Sequence, residues 1–350
     1  MTSKDRVRIT LSHEMPDRLP MQISFTPEFK ERLLGVYPKV ASSSDPYALD
    51  IKIGSDLLLE TVGWMTSYNQ PGDQYVDEWG IGWKAVEYTT PFGVGRYTEV
   101  ENRPLAEDEA IASYSAPDPF RKHLYEPMQN LLALHGSEYC IVGVVKTTIF
   151  ECAWGLRGLE QLMMDFILDP DLAEAVLDIP LNYHLEVAKK LVSMGVDMIW
   201  IGDDVGSQNG MMISPDSWRY FLKPRMASCI SALRAIRKDI VIAYHSDGVI
   251  DPIIPDLIEI GVDILNPIQP NCMDPSTLKK QYGKNASFWG GIDQQSVLPF
   301  SSPMGVYENT KSMMSILGEH GGYIVGPTHN VQLDVPLENF DAMVRAITEN

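Results

Sequence analysis

Short apolar runs rich in β-branched and aromatic residues recur along this chain, separated by stretches with helical periodicity. Eight runs predict strands at residues 19–25, 56–61, 139–145, 198–202, 240–245, 262–266, 287–291 and 323–326. Helices are predicted between the later runs, at residues 172–194, 215–236, 251–260, 275–282, 303–319 and 337–348. This alternation is typical of a parallel sheet covered by helices. Because strand spacing is regular from residue 198 onward, we predict one α/β domain over residues 1–350, folded as a (β/α)8 TIM-like barrel.

The stretch from residue 63 to residue 135 is too long for one loop of such a barrel. Segments in which apolar and polar residues alternate flank a Pro/Gly turn at residues 90–93, and this pattern predicts a β-hairpin. Trp79 and Trp83 alternate with glycines and would project to one side of it. We therefore predict an insertion between the second and third strands, near the active-site face. Its tryptophans would cover the barrel mouth or contact a partner.

The charge balance excludes several classes of protein. Among 350 residues, 28 Lys and Arg stand against 47 Asp and Glu, which gives a formal charge of -19 at pH 7. Without a visible basic cluster, this charge opposes binding to nucleic acid or to an anionic membrane. No apolar run approaches the roughly 18 residues that span a bilayer. The 4 cysteines are scattered, without a CxxC pair, so a cytoplasmic protein without disulfides is expected.

Polar residues collect where the predicted strands end. In a TIM barrel these ends converge on the active-site face, so residues far apart in sequence would meet there. The candidates are Asp203, Asp204, His245, Asp247, Asn266, Gln269, Cys272, Asp293 and His329, with Asp56 and Glu151 from the N-terminal half. Each has a structural alternative: the histidines would bond neighbouring loops, Cys272 would be an inert thiol, and the aspartates would brace turns. Their convergence is what favours an enzyme.

With these residues considered, the chain resembles the uroporphyrinogen decarboxylase superfamily. The matching segments are residues 17–20, 55–58, 290–293, 326–330 and 336–339, and their order and spacing carry the resemblance. The resemblance implies a TIM-like barrel and one of two chemistries. One is metal-independent decarboxylation of a tetrapyrrole, and the other is methyl transfer that depends on zinc and a corrinoid.

The decarboxylase branch binds its polyanionic substrate with arginines just after the first strand. Residues 24–29 contain no arginine and add an acid. Asp56 matches that branch's central aspartate and His329 matches one of its histidines, but a cleft without arginines in an acidic protein would repel a polyanion. The resemblance therefore favours the methyltransferase branch.

In the methyltransferase branch, zinc is held by a His-x-Cys motif and a second Cys near the last strand. This chain has His245 and Asp247 in the first place and His329 in the last, which leaves Cys272 as the nearby thiol. The metal ligands implied are His245 and His329 with Cys272 or Asp247. Fewer thiolates leave more positive charge on zinc, which favours an oxygen-bound methyl donor over a thiol.

The leading prediction is a methyltransferase that moves a methyl group from a methoxylated compound, such as an aryl methyl ether, to Co(I) of a separate corrinoid protein. Zinc would polarise the ether oxygen, and Glu151, Asp203 or Asp293 would supply a proton. One alternative is a metal-independent decarboxylase or lyase that uses Asp56 and His329. Another is a non-catalytic protein that binds a corrinoid or tetrapyrrole.

Overall fold

A computed structural model describes residues 1–63 and 72–349, so residues 64–71 of the predicted insertion lie outside the described part. The strands are β1 (Leu57–Thr61), β2 (Gln74–Val76), β3 (Gly82–Thr90), β4 (Gly93–Asn102), β5 (Cys140–Lys146), β6 (Met198–Gly202), β7 (Gly206–Ser207), β8 (Gly210–Met211), β9 (Val241–His245), β10 (Ile264–Ile268), β11 (Ser287–Ile292) and β12 (Tyr323–Pro327).

The helices come before, between and after these strands. They are α1 (Ser3–Leu11), α2 (Pro27–Val36), α3 (Pro38–Ala41), α4 (Ala48–Ile53), α5 (Asp108–Ile111), α6 (Glu126–His135), α7 (Phe150–Arg157), α8 (Leu159–Leu168), α9 (Pro170–Met194), α10 (Pro215–Ser217), α11 (Lys223–Ile236), α12 (Ile254–Glu259), α13 (Pro275–Tyr282), α14 (Val297–Phe300), α15 (Pro303–Leu317) and α16 (Leu337–Thr348). Within the described ranges, no helix is long and apolar enough to cross a membrane.

The predicted α/β barrel is confirmed. Seven parallel strands pair in the order β1-β5-β6-β9-β10-β11-β12. The predicted strand at residues 19–25 is instead an extended segment with isolated bridges from Met21 to Val325 and from Phe25 to Val331. Pro20 has no N–H to extend a ladder there. The segment still joins the two edges of the sheet, because Gln22 N donates to Val325 O and Asp56 N donates to Met21 O.

Side-chain alternation separates two apolar cores. One lies inside the barrel, with Leu57, Val142, Met198, Ala243 and Trp289 among its buried members and the partly buried Leu59 and Trp200 packed against them. The other lies between the sheet and the helices. Because side chains on a strand alternate between faces, every second residue of β6 or β9 points inward. This period fixes which residues reach the interior at the carboxyl end.

The predicted hairpin is confirmed between β1 and β5. Strands β3 and β4 pair antiparallel about the turn at Thr90 and Gly93, and β2 adds a third strand to this sheet. Trp79 and Trp83 are both buried. Trp79 packs on Tyr183 and His184 of α9. The two tryptophans therefore pack into the molecule, which leaves little of their surface for contact with a partner; that they cover the barrel mouth stays a prediction.

The predicted helix 215–236 is interrupted. A π-helical turn (Trp218–Leu222) separates α10 from α11. Pro224 has no N–H to continue the ladder, which explains why the helix widens at this point. The predicted helix 251–260 likewise begins with a 3-10 turn (Asp251–Ile253) ahead of Pro255.

Candidate active site

The carboxyl ends of neighbouring strands bring polar side chains to one rim of the barrel. Strands β6, β9, β10 and β11 are adjacent in the sheet. Ala243 of β9 belongs to the interior core. His245, two residues further along the same strand, therefore faces the same interior. Its ring meets Trp200 edge-on, with ring centroids 5.3 Å apart. His245 thus stands at the top of the apolar interior.

Asn266 orients the imidazole of His245. The two residues are register partners on β9 and β10, and His245 Nδ1 lies 2.7 Å from Asn266 Oδ1. An amide oxygen only accepts hydrogen bonds, so Nδ1 carries the proton. His245 Nε2 then faces the oxygen Oδ1 of Asp204 at 3.6 Å. This is the arrangement of a metal-ligating histidine whose second nitrogen is held by a hydrogen bond.

Asp204, His245 and Asp247 form a group that we call the rim cluster. Each offers one ligand atom, and these atoms lie within 4.8 Å of one another. The backbone N–H of Asp247 donates to Asp204 Oδ1 at 2.7 Å, which fixes the relative position of the two aspartates. One imidazole nitrogen and two carboxylates are ligands that zinc accepts, and three protein ligands leave a position open for substrate.

A glutamine and a glycine hold Asp247 in place. Gln269 Nε2 donates to Asp247 Oδ1 at 3.1 Å, and Gln269 Oε1 accepts from the N–H of Gly248 at 2.6 Å. Gly248 has a φ of 80°. A Cβ there would lie 2.6 Å from the backbone of Ser207. Glycine is therefore required where this turn packs against residues 206–207.

Asp203 and Glu151 border the rim cluster in different ways. Asp203 is buried and accepts from the backbone N–H groups of Ile149 and Glu151, at the start of α7. Burial raises the pKa of Asp203 to about 6, although these N–H groups favour the ionised form. Glu151 is half-buried, and its Oε2 accepts from the N–H of Asp204 at 3.1 Å. Asp203 is thus held at a helix N-terminus, while Glu151 contacts the cluster directly.

Three predicted site residues lie at this end of the barrel but outside the rim cluster. Cys272 is half-buried, with Sγ 3.4 Å from Gln208 Oε1, and burial raises the pKa of its thiol. Asp293 accepts from Asn271 Nδ2 at 3.0 Å and from Gln295 N at 2.8 Å, so it braces the turn after β11. His329 is exposed after β12. The structure does not bring these side chains into the group formed by His245 and Asp247.

Asp56 lies at the opposite end of the barrel, immediately before β1. It is fully buried, and it accepts hydrogen bonds from Arg6 at 2.5 Å, Arg18 at 2.7 Å and the backbone N–H of Met21 at 2.9 Å. Residues at the amino ends of barrel strands contribute to stability rather than catalysis. The structure therefore does not place Asp56 with the other predicted site residues.

Sequence reasoning undervalued Asp204. It gave Asp203 a possible role as a proton donor and named Asp204 only among the polar residues at the strand ends, whereas the structure gives Asp204 the closer position to His245. Asp203 turns toward α7, and Asp204 turns toward His245. The Asp-Asp pair after β6 could have pointed to Asp204 as a site residue, but the direction of each side chain depends on where α7 begins.

Fold and rim cluster together define a TIM-barrel protein with an enzyme-like site at the carboxyl end of its strands. The sequence profile of the uroporphyrinogen decarboxylase (URO-D) family matches residues 84–350. The chain belongs to this family.

The chain is similar in sequence to two methyltransferases. The chain is 27% identical over 214 residues to the methylcobamide:CoM methyltransferase MtaA of Methanosarcina barkeri, a match that covers 61% of this chain and 59% of that protein. It is 26% identical over 211 residues to a methylated-thiol–coenzyme M methyltransferase of Methanosarcina mazei, covering 58% and 52%. The match thus spans less than two thirds of each relative.

A solved methyltransferase from Methanosarcina mazei matches the fold of the whole chain. The TM-score is 0.72 at 21% sequence identity, and the match covers 100% of this chain and 99% of the other. This likeness supports the α/β barrel fold of the chain.

Proposed function

We propose that this protein is a corrinoid-dependent methyltransferase that takes a methyl group from a methoxylated compound, such as an aryl methyl ether, and delivers it to Co(I) of a separate corrinoid protein. The observation that carries the proposal is the rim cluster, in which Asp204, His245 and Asp247 converge within 4.8 Å. The similarity to corrinoid methyltransferases supports the reaction class.

The rim cluster fits a zinc ion of the catalytic kind. Its three residues are half-buried at the open end of the barrel, and their ligand atoms are nitrogen and oxygen. Asn266 and Gln269 hold two of these ligands from outside. We assign the zinc ligands to His245, Asp247 and Asp204. Asp204 takes the place of the expected ligands Cys272 and His329, because those two residues lie outside the rim cluster.

Zinc held there would supply Lewis acidity toward an ether oxygen. The absence of thiolates from the cluster favours an oxygen-bound methyl group over a thioether, because oxygen is the harder ligand. In the transfer, the C–O bond breaks with its electron pair left on oxygen, while Co(I) donates the pair that forms the C–Co bond. The leaving alkoxide or phenolate then needs one proton.

Glu151 is the residue we assign to that proton. Its carboxyl group is half-buried and already contacts the backbone of Asp204, so it lies beside the ligands without being one of them. Asp203 is fully engaged with the N-terminus of α7, and its role is to position Glu151. Asp293 accepts a hydrogen bond within the turn after β11, so we assign it no role in the proton transfer.

The decarboxylase alternative receives less support from the geometry. It needs Asp56 and His329 to act together, but Asp56 lies at the amino end of the barrel and is bound by two arginines. His329 lies beyond the carboxyl end of β12. No single substrate atom would reach both.

The test combines metal analysis with methyl transfer. Protein purified without added metal should contain about one zinc per chain, because three ligands that are themselves held by hydrogen bonds favour retention of the ion. Incubation with reduced corrinoid protein and a panel of methoxylated compounds should convert the absorbance of Co(I) to that of methyl-Co(III). Metal-free protein that decarboxylates a carboxylated substrate would overturn the proposal.

A further inference from the structure

The barrel wall is open on one side, between the 19–25 segment and β1. Strand β1 pairs with β5, and the 19–25 segment bridges only to residues 325 and 331. Within the described ranges, one backbone hydrogen bond joins the two sides, from Asp56 N to Met21 O at 2.8 Å. A cavity of about 760 Å³ lies along this opening. We call it the seam cavity.

The seam cavity reaches from the surface to the interior of the wall. Leu57 and Leu59 line it, and both also belong to or pack on the interior core. Gln22 and Ser24 line the facing side. Its outer residues are exposed, with Leu134 at 62%. The cavity therefore joins solvent to the inner layer of the barrel.

The lining suits a small molecule that is apolar and carries oxygen atoms. A volume of this order is typical of ligand pockets, which combine apolar walls with a few placed polar groups. Here Leu57 and Leu59 supply an apolar wall, and Gln22 and Ser24 supply an amide and a hydroxyl. The hydroxyl of Tyr47 donates to Glu60.

The charges of the lining disfavour an anion. Asp50 and Glu60 line the cavity together with one lysine, Lys30. Burial raises the pKa of Asp50 to about 6 and raises the pKa of Glu60, so additional negative charge would be unfavourable there. An uncharged ligand meets neither penalty.

We propose that the seam cavity binds an uncharged methoxylated aromatic molecule and is its route to the barrel interior. This rests on the proposed function, in which a corrinoid protein occupies the carboxyl end of the barrel. A protein seated over that end closes the direct path to the rim cluster. A lateral opening then lets the donor reach the interior while the partner stays bound.

The first experiment measures binding without activity. In Ser24→Cys protein, the new thiol lies in the cavity lining, and its alkylation by N-ethylmaleimide is followed by peptide mass spectrometry. At about four times its Kd, 1,2-dimethoxybenzene should slow this alkylation about fivefold, because the rate follows the unoccupied fraction. Ser193→Cys, on the exposed surface of α9, is the matched control and should not change. Equal alkylation at position 24 with and without the compound would overturn the proposal.

The second experiment measures the route. Ser24→Trp fills the cavity and should raise the KM for the donor about tenfold at nearly constant kcat, since the rim cluster is untouched. Ser193→Trp should leave both constants unchanged. If Ser24→Trp instead keeps the wild-type KM, the seam is not the route, whatever the reaction.

The two proposals fail in different ways. Methyl transfer by the wild type, without protection at position 24 and with an unchanged KM in Ser24→Trp, overturns the seam proposal alone. Protection at position 24 by a protein that transfers no methyl group to Co(I) overturns the proposed function and keeps the binding site.

Discussion

Carboxylates stand at both ends of this barrel, but their partners differ. At the amino end, Asp56 is bound by the guanidinium groups of Arg6 and Arg18. At the carboxyl end, Asp204 is bound by the backbone N–H of Asp247 and faces the imidazole of His245. A guanidinium carries a permanent charge that neutralises a carboxylate, whereas an imidazole changes its charge near neutral pH. The carboxylate at the amino end is therefore neutralised within the protein, whereas the carboxyl end keeps side chains of the kind that bind a cation.

The sharpest test of this contrast is His245→Ala. Removal of the imidazole takes away one of the three proposed zinc ligands, so we expect loss of bound zinc and at least a roughly 1000-fold loss of methyl transfer, with little change in Tm. Metal analysis, cobalt absorbance and thermal unfolding measure the three effects.

His329→Ala is the matched histidine control and should retain zinc. Full zinc occupancy in His245→Ala would break the assignment of the rim cluster. Loss of zinc in His329→Ala would return His329 to the ligand set.

Asp56→Asn tests the amino end. It leaves the buried Arg6 without one of its two carboxylate partners, so we expect the free energy of unfolding to fall by about 3–5 kcal/mol. Urea unfolding measures this change. Activity per folded molecule should stay near that of the wild type.

A stable Asp56→Asn protein with kcat reduced by orders of magnitude would place Asp56 in the chemistry after all. It would also erase the distinction between the two ends.

On acidification, the two ends of the barrel should lose stability in different pH ranges. Burial lowers the pKa of His184, beneath the carboxyl end, to about 4, below its unfolded value of 6.5. The unfolded chain then binds the extra proton first, so stability falls as the pH drops from about 6.5 to 4, by about 2–3 kcal/mol. At the amino end, Arg6 holds the pKa of Asp17 at about 2, below its unfolded value of 3.8, and its contribution is lost between those values.

Urea unfolding of His184→Asn and Asp17→Asn across pH 2–7 measures these windows. His184→Asn should remove the pH dependence of the free energy of unfolding between about pH 6.5 and 4 only. Asp17→Asn should remove it between about pH 3.8 and 2 only. Identical pH profiles for both variants and the wild type would contradict the assignment.

Cys272→Ser should give the smallest effect. Its Sγ contacts Gln208 and Gln269 rather than the rim cluster, so zinc affinity should change by less than about 10-fold, which is below the effect of replacing a residue that bonds a ligand directly. Competition with a chelator measures the affinity. A loss as large as that of His245→Ala would make Cys272 a ligand.

Much of the fold was predictable because it depends on local patterns. Seven of the eight predicted strands pair in the parallel sheet, since continuous apolar runs of that length are typical of strands buried on both faces. The eighth, at residues 19–25, became an irregular segment because Pro20 removes a donor. The hairpin about Thr90 and Gly93 was predictable from its alternation and turn.

The barrel, the insertion and the polar residues at the strand ends were predictable from the chain alone, because periodicity and turn chemistry are properties of short segments. Which of those polar residues meet depends on how distant segments pack together. Asp203 and Asp204 are neighbours in sequence, yet one binds the start of α7 and the other faces His245. Asp56 looked equivalent to them until the fold placed it before β1, between two arginines. The side-chain partners of a carboxylate come from distant segments, so no local pattern encodes them.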